Sequence, residues 1–257
     1  FAVNQPGDED SVRVCNIAGS GLFVMVWVNY ATTGASISGL AFEPVQAQAT
    51  TVWTLYGPAN VSMPVLSGEA TVFDDDCLVA WIDDTYGLVG STVAIDQNLQ
   101  VTATPLVQLA AGAQTESAFS KQGGNPGLHL LTWIDRPTGL SGRLRAQVVD
   151  HDLNPIGAGV WVRSVAQDCG WPALDGDGFR FLVAWEEQEV ANPSSTDIRG
   201  RLITVGPGGI TSQGGVLDLV QYPNDLDLAP DVAMLGDKFG ITYMGRRPAA
   251  RTTTTST

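Results

Sequence analysis

Apolar residues in this chain gather in short continuous runs, and five of the runs end on an aromatic. They are Phe23-Val24-Met25-Val26-Trp27, Cys77-Leu78-Val79-Ala80-Trp81, His129-Leu130-Leu131-Thr132-Trp133, Phe181-Leu182-Val183-Ala184-Trp185 and Phe239-Gly240-Ile241-Thr242-Tyr243. The closing aromatics at 27, 81, 133, 185 and 243 are spaced by 54, 52, 52 and 58 residues. Near-continuous apolar words of this length suit strands buried on both faces. No long segment places apolar residues at i, i+3, i+4 and i+7, so no helix is expected. A period near fifty residues with one β-rich word per unit marks a propeller or a similar array.

Each unit repeats one order of elements. A short first strand leads through a Gly- or Asp-rich turn into the aromatic-terminated strand. A polar loop, a third strand with Arg or Gly near its start, a Gly/Pro/Asn turn and a fourth strand follow. The unit around Trp185 is the clearest: Pro172-Ala173-Leu174, the turn Asp175-Gly176-Asp177-Gly178, Phe179 to Glu186, Asp197 to Ile203, the turn Gly206-Pro207-Gly208-Gly209, then Val216 to Leu219. The other units run Ser11 to Gly57, Gly68 to Leu109, Glu116 to Val165, and from Pro230 past Tyr243. The last is short of chain. Phe1-Ala2-Val3-Asn4 reads as its missing fourth strand and Ala250 to Ser256 as its third. The expectation for residues 1–249 is a single five-bladed β-propeller of four-stranded antiparallel blades, its N-terminal strand closing the last blade. The Thr-rich residues 250–257 supply that third strand or begin a linker. The repeated Trp residues are expected between blades as core.

The run Phe181 to Glu187, then Ile198-Arg199-Gly200-Arg201, a Gly-rich turn and Pro230-Asp231-Val232-Ala233 resembles the degenerate propeller repeats of large secreted bacterial surface proteins. The resemblance spans nearly the whole chain and is carried by packing and turn residues. It implies a secreted or cell-surface propeller and no particular chemistry. By architecture alone, five units are also similar to the tachylectin-type lectins and the five-bladed glycoside hydrolases.

Composition narrows the partners. A length of 257 residues with 44% hydrophobic content supports one large core. A net charge of −14 with 13 Lys and Arg repels phosphate backbones and anionic lipid, so nucleic acid and such membranes are poor partners. No run of eighteen apolar residues exists, so no transmembrane helix is expected. The chain begins at Phe1 rather than Met and reads as processed or excised from something longer. Cys15, Cys77 and Cys169 form no disulfide framework or metal spacing; Cys77 occupies the core slot of Phe181, and a Cys15–Cys169 pair stays open. Two His residues are too few for a His-rich metal site.

Candidate chemistry follows the repeat. Asp175 to Gly178 reads as a hairpin turn, because its counterparts in other units are also Gly- and Asp-rich. No cofactor is expected; should a cation such as calcium bind, Asp74, Asp75 and Asp76 form the densest acidic cluster. The acids after the closing aromatics, Asp83, Asp84, Asp135, Glu186 and Glu187, read as a solvated rim. The third-strand residues Arg143, Arg145, Arg199 and Arg201 stand ready to pair with them. Glu69, Glu116 and Asp231 open first strands, which line a propeller axis. Three carboxylates round one mouth could act as nucleophile or base, acid and pKa-tuning group of a glycoside hydrolase. His129 reads as a strand residue and His151 as a turn residue. No Gly-x-Ser-x-Gly elbow or phosphate loop is present. Among aromatics outside the repeat slots, Trp171, Tyr222, Tyr56 and Tyr86 sit in or near loops and could stack on a sugar or anchor a protein. Trp53 and Trp161 fall in fourth strands. The preferred reading is a non-enzymatic extracellular binding or structural module, glycan-binding through its loop aromatics. The alternative is a glycoside hydrolase.

Overall fold

The computed structural model of the chain describes residues 8–17, 20–68, 76–96, 98–121, 127–137, 141–165, 167–188, 195–221 and 226–246. These residues form strands and turns, with no helix among them. The first sheet holds β1 (Asp8–Ile17), β2 (Leu22–Ala31), β3 (Gly34–Glu43), the two-residue β4 (Gln48–Ala49) and β5 (Trp53–Ala59). The second holds β6 (Val61–Gly68), β7 (Asp76–Asp83) and β8 (Gly87–Ile95), with β9 (Val101–Ala103) and β10 (Val107–Ala110) both on the β8 edge. The third is β11 (Gln114–Phe119), β12 (His129–Asp135), β13 (Arg143–Val149) and β14 (Pro155–Arg163). The fourth is β15 (Cys169–Gly176), β16 (Arg180–Gln188), β17 (Thr196–Gly206) and β18 (Gly209–Val220). A hairpin of β19 (Leu226–Leu235) and β20 (Lys238–Arg246) follows, joined to the fourth sheet by one parallel Thr196–Leu226 bridge. The stretches Phe1 to Asn4 and Ala250 to Ser256, expected to complete this last unit, lie outside the described residues.

The sheets face one another, and the core lies between them. Alternation along a strand sends successive side chains to opposite faces. In β7, Cys77, Val79 and Trp81 pack toward the first sheet, whereas Leu78, Ala80 and Ile82 pack toward the third. Trp133 likewise joins the layer shared with the second sheet, and Trp185 the layer shared with the third. The expected core role holds for Trp27, Trp81, Trp133 and Trp185, all buried. Third strands carry a small residue at one recurring position: Gly39, Gly90, Ala146 and Gly200 pair with Val26, Ala80, Thr132 and Ala184. Two of these glycines are required by close approach. A Cβ on Gly39 would stand 2.1 Å from the Trp53 ring, and one on Gly200 would stand 2.5 Å from Leu219. A fourth-strand side chain thus lies flat on the third strand.

The strands β1, β6, β11, β15 and β19 neighbour one another in that order. All five carry the same irregularity. Pairing with the second strand lapses after Asp10, Ser62, Gln114, Gly170 and Leu228, and resumes at Arg13, Val65, Ser117, Ala173 and Asp231. Two residues there oppose one, which defines a β-bulge and re-aims the strand. The opposed residue is Trp27, Trp81, Trp185 or Tyr243, and Ile134 in the third sheet. In three bulges the second residue is proline: Pro64, Pro172 and Pro230. A bulge leaves an amide out of the ladder, and proline has none to leave. The first bulge residue has positive φ at Ser11 (55°), Trp171 (44°) and Ala229 (48°). One boundary differs from expectation: Gly68 ends a first strand rather than opening its unit, because Gly68 pairs with Cys77 and Val61 with Asp83.

Candidate functional site

The bulged strands line a cavity of about 670 Å³. Arg13, Val65, Ser117, Ala173 and Asp231, each the first paired residue after its bulge, all line it. Beside it, at the strand starts between the third and fourth sheets, lies a cleft of about 200 Å³. Glu116, Arg136, Asp168, Trp171 and Glu186 line that cleft. Trp171 belongs to both walls.

The bulges place these groups. Glu116 is the second bulge residue of β11, where three other units have proline. Its Oε2 accepts the Trp171 amide hydrogen across the sheet boundary at 2.6 Å. Glu186 lies in the buried part of β16, and its Oε1 accepts the Ala229 amide at 2.5 Å. Each carboxylate therefore satisfies the first amide of the next bulge, and its other oxygen has no partner among the described residues. Burial raises the Glu116 pKa above the ordinary carboxylate value, opposed by the Trp171 hydrogen bond and by Arg136, while Asp168 adds to the rise. Burial also raises Glu186, with the Ala229 hydrogen bond opposing and the charge of Glu116 adding. Arg136 Nη1 donates to both Asp168 carboxylate oxygens, at 2.6 and 2.7 Å, and Nη2 donates to the Cys169 carbonyl at 3.2 Å. Asp168 also accepts the Gly142 amide at 2.6 Å. This pair is fixed scaffold, whereas Glu116 and Glu186 are the acids with capacity to spare. Trp171 stands 48% exposed in the left-handed region, where a bulky side chain is rare.

The residues singled out from sequence are distributed as follows. Glu116 is in the cleft. Asp231 lines the larger cavity instead and is ion-paired with Lys121 at 3.1 Å. Glu69, Tyr222, Asp74 and Asp75 lie outside the described residues, and Asp76 opens β7. Among the described residues no three His, Cys, Asp or Glu gather as a metal site. Trp171 belongs to strand β15 rather than to a loop, because the bulge lets it point out while remaining in the sheet. Tyr56 lies in β5 and packs on Trp81 at 5.4 Å. Burial raises its pKa, as does the negative charge of Asp83. Tyr86 is half exposed in the β7–β8 turn.

The expected solvated rim of acids after the closing aromatics holds for Asp84, which is exposed, and in part for Asp135, which is half-buried, but not for the other three. Asp83, Glu186 and Glu187 are buried. Asp83 accepts the Thr85 and Tyr86 amides at 2.8 and 2.9 Å and so builds its turn. Glu187 takes a fork from Arg163 of β14 at 2.6 and 2.7 Å and the Trp185 indole hydrogen at 3.1 Å. Of the third-strand arginines, Arg199 pairs with Glu187 at 3.9 Å, as expected, and also with Asp197 and Asp218. Arg145 lies instead over the Trp133 and Trp161 rings, at 5.6 and 4.7 Å. Sequence reasoning missed Glu186 as a partner of Glu116, and its recurrence after a closing Trp gave the only signal. The open Cys15–Cys169 pairing is resolved: all three cysteines are free and buried, and Cys15 adjoins Cys77. Burial foremost pushes the Cys169 thiol up to about 12.

No protein-family profile and no curated protein sequence matches the chain. Solved structures do. The catalytic domain of a GH62 alpha-L-arabinofuranosidase from Coprinopsis cinerea aligns with a TM-score of 0.50 at 13% identity, over 94% of this chain and 85% of that one. An alpha-L-arabinofuranosidase from Podospora anserina, solved with cellotriose, aligns with a TM-score of 0.47 at 10% identity, over 87% and 76%. A Synechocystis apocarotenoid oxygenase mutant aligns with a TM-score of 0.49 at 10% identity, over 90% and 54%. At such identities the likeness concerns the fold alone, and the first carries it: the chain has an all-β, β-propeller-like fold.

Proposed function

We propose that the chain is a five-bladed propeller, completed by its N-terminal strand, that binds a saccharide at the mouth of its axis. The observation that carries this reading is Trp171. A half-exposed indole held in a backbone region unfavourable for it stands beside two carboxylates with unused acceptor oxygens. The bulge backbone that Trp171 shares with Ser11 and Ala229 leaves this indole half exposed, where the other two positions carry small side chains. An indole face covers the apolar face of a sugar ring, and carboxylate oxygens accept its hydroxyls. Nothing in such a site requires bond breaking. The proposed setting is outside the cell, secreted or on the surface, with a glycan as partner.

Trp171→Gly tests the reading cleanly. Glycine adopts the left-handed conformation without strain, so the fold is retained while the stacking face is lost. A broad glycan array should show binding by the parent protein and none by the variant. Equal binding by both, or no binding by the parent, would reject the proposal.

A second reading is glycoside hydrolysis, favoured by one observation. Glu116 and Glu186 share a cleft, and burial raises both, as a general acid requires. Release of reducing sugar from a polysaccharide panel, abolished in Glu186→Gln, would support it; an inactive parent would exclude it.

A further inference from the structure

The larger cavity behind Trp171 has a charge pattern that the chain as a whole lacks. In a protein of net charge −14, its charged lining residues are Arg13, Lys121 and Asp231, a local excess of one positive charge. Lys121 is partnered by Asp231, whereas Arg13 has no carboxylate partner among the described residues and donates only to the neighbouring Val12 carbonyl at 3.0 Å. The volume of about 670 Å³ falls in the range of small-molecule sites. Trp171 closes one side.

We infer that the saccharide carries a carboxylate, as a uronic or sialic residue does, and that Arg13 binds it inside the cavity. The guanidinium presents two parallel donors that match a carboxylate. Trp171 covers the apolar face of the same ring. The negative surface disfavours anions in general, so a preference for an acidic sugar must arise from the local excess positive charge that Arg13 carries. The inference rests on the saccharide-binding reading above and goes beyond it in naming the ligand class.

The test is an array of carboxylated saccharides printed beside their carboxyl-reduced forms, probed near 0.15 M salt, where the Debye length is about 8 Å and long-range repulsion is screened. The carboxylated forms should bind at least about tenfold tighter, and Arg13→Gln should abolish that margin, as loss of a charge-assisted hydrogen bond implies. Asp231→Asn frees Lys121 and should tighten binding of the carboxylated forms several-fold, a gain that misfolding cannot mimic. Equal binding of both forms would overturn the inference and leave saccharide binding standing. An Asp231→Asn variant that weakens acidic ligands would also overturn it. Binding of no saccharide at all would overturn both.

Discussion

Replacing Glu187 by Leu removes the acceptor on which the third and fourth sheets converge. Its side chain is 5% exposed and that of Arg163 is 23% exposed. Two hydrogen bonds of 2.6 and 2.7 Å and the Trp185 indole bond of 3.1 Å all end on it, and Arg199 stands 3.9 Å away. Breaking a buried pair by deleting one partner costs about 3–5 kcal/mol, because the other charge stays buried. Arg163 retains some access to water, which puts the expectation near the lower figure, about 3 kcal/mol. For a chain of this size that is a Tm loss of about 6–12 °C, read by scanning calorimetry. Adding Arg163→Met removes the stranded charge, so the double variant should recover much of the loss. The coupling between the two sites should therefore exceed about 1 kcal/mol. A single-variant loss under about 2 °C, or strictly additive losses, would refute the view that this pair joins the sheets.

Three further outcomes are expected. Glu116→Gln keeps an acceptor for Trp171 but removes a carboxyl whose folded pKa lies above its unfolded value. In the parent the folded state holds that proton longer. Stability therefore falls as pH rises from the ordinary Glu pKa through the folded one, and stays level above it. Thermal melts from pH 3 to 8 should show the variant gaining on the parent across that window; a difference independent of pH would contradict the burial argument. Gly39→Ala forces a methyl group into the Trp53 ring and should destabilise by about 1–3 kcal/mol in chemical denaturation, largely restored by adding Trp53→Leu. A neutral Gly39→Ala would show that Trp53 does not lie there. Thiol titration should find no reactive cysteine in the native protein and three after denaturation. Fewer than three would indicate a disulfide.

The sequence alone determined the strands, because their cause is local. Five apolar words at a near-constant spacing can be buried only as repeated two-faced sheets, and the Asp- and Gly-rich segments between them can only turn. Phe181 to Trp185 and Cys77 to Trp81 were legible for that reason, as was the core role of their Trp residues. Tertiary structure decided the bulges and everything that hangs on them. Pro64, Pro172 and Pro230 inside first strands were a visible trace, since proline in a strand marks broken pairing. Which amide each bulge exposes, however, depends on the neighbouring sheet. Glu116 meets Trp171 and Glu186 meets Ala229 across boundaries about fifty residues apart in the chain. Burial of Asp83, Glu186 and Glu187 follows from the same packing: an acid at a strand end is a rim residue in an isolated sheet and an interior one once the next sheet covers it.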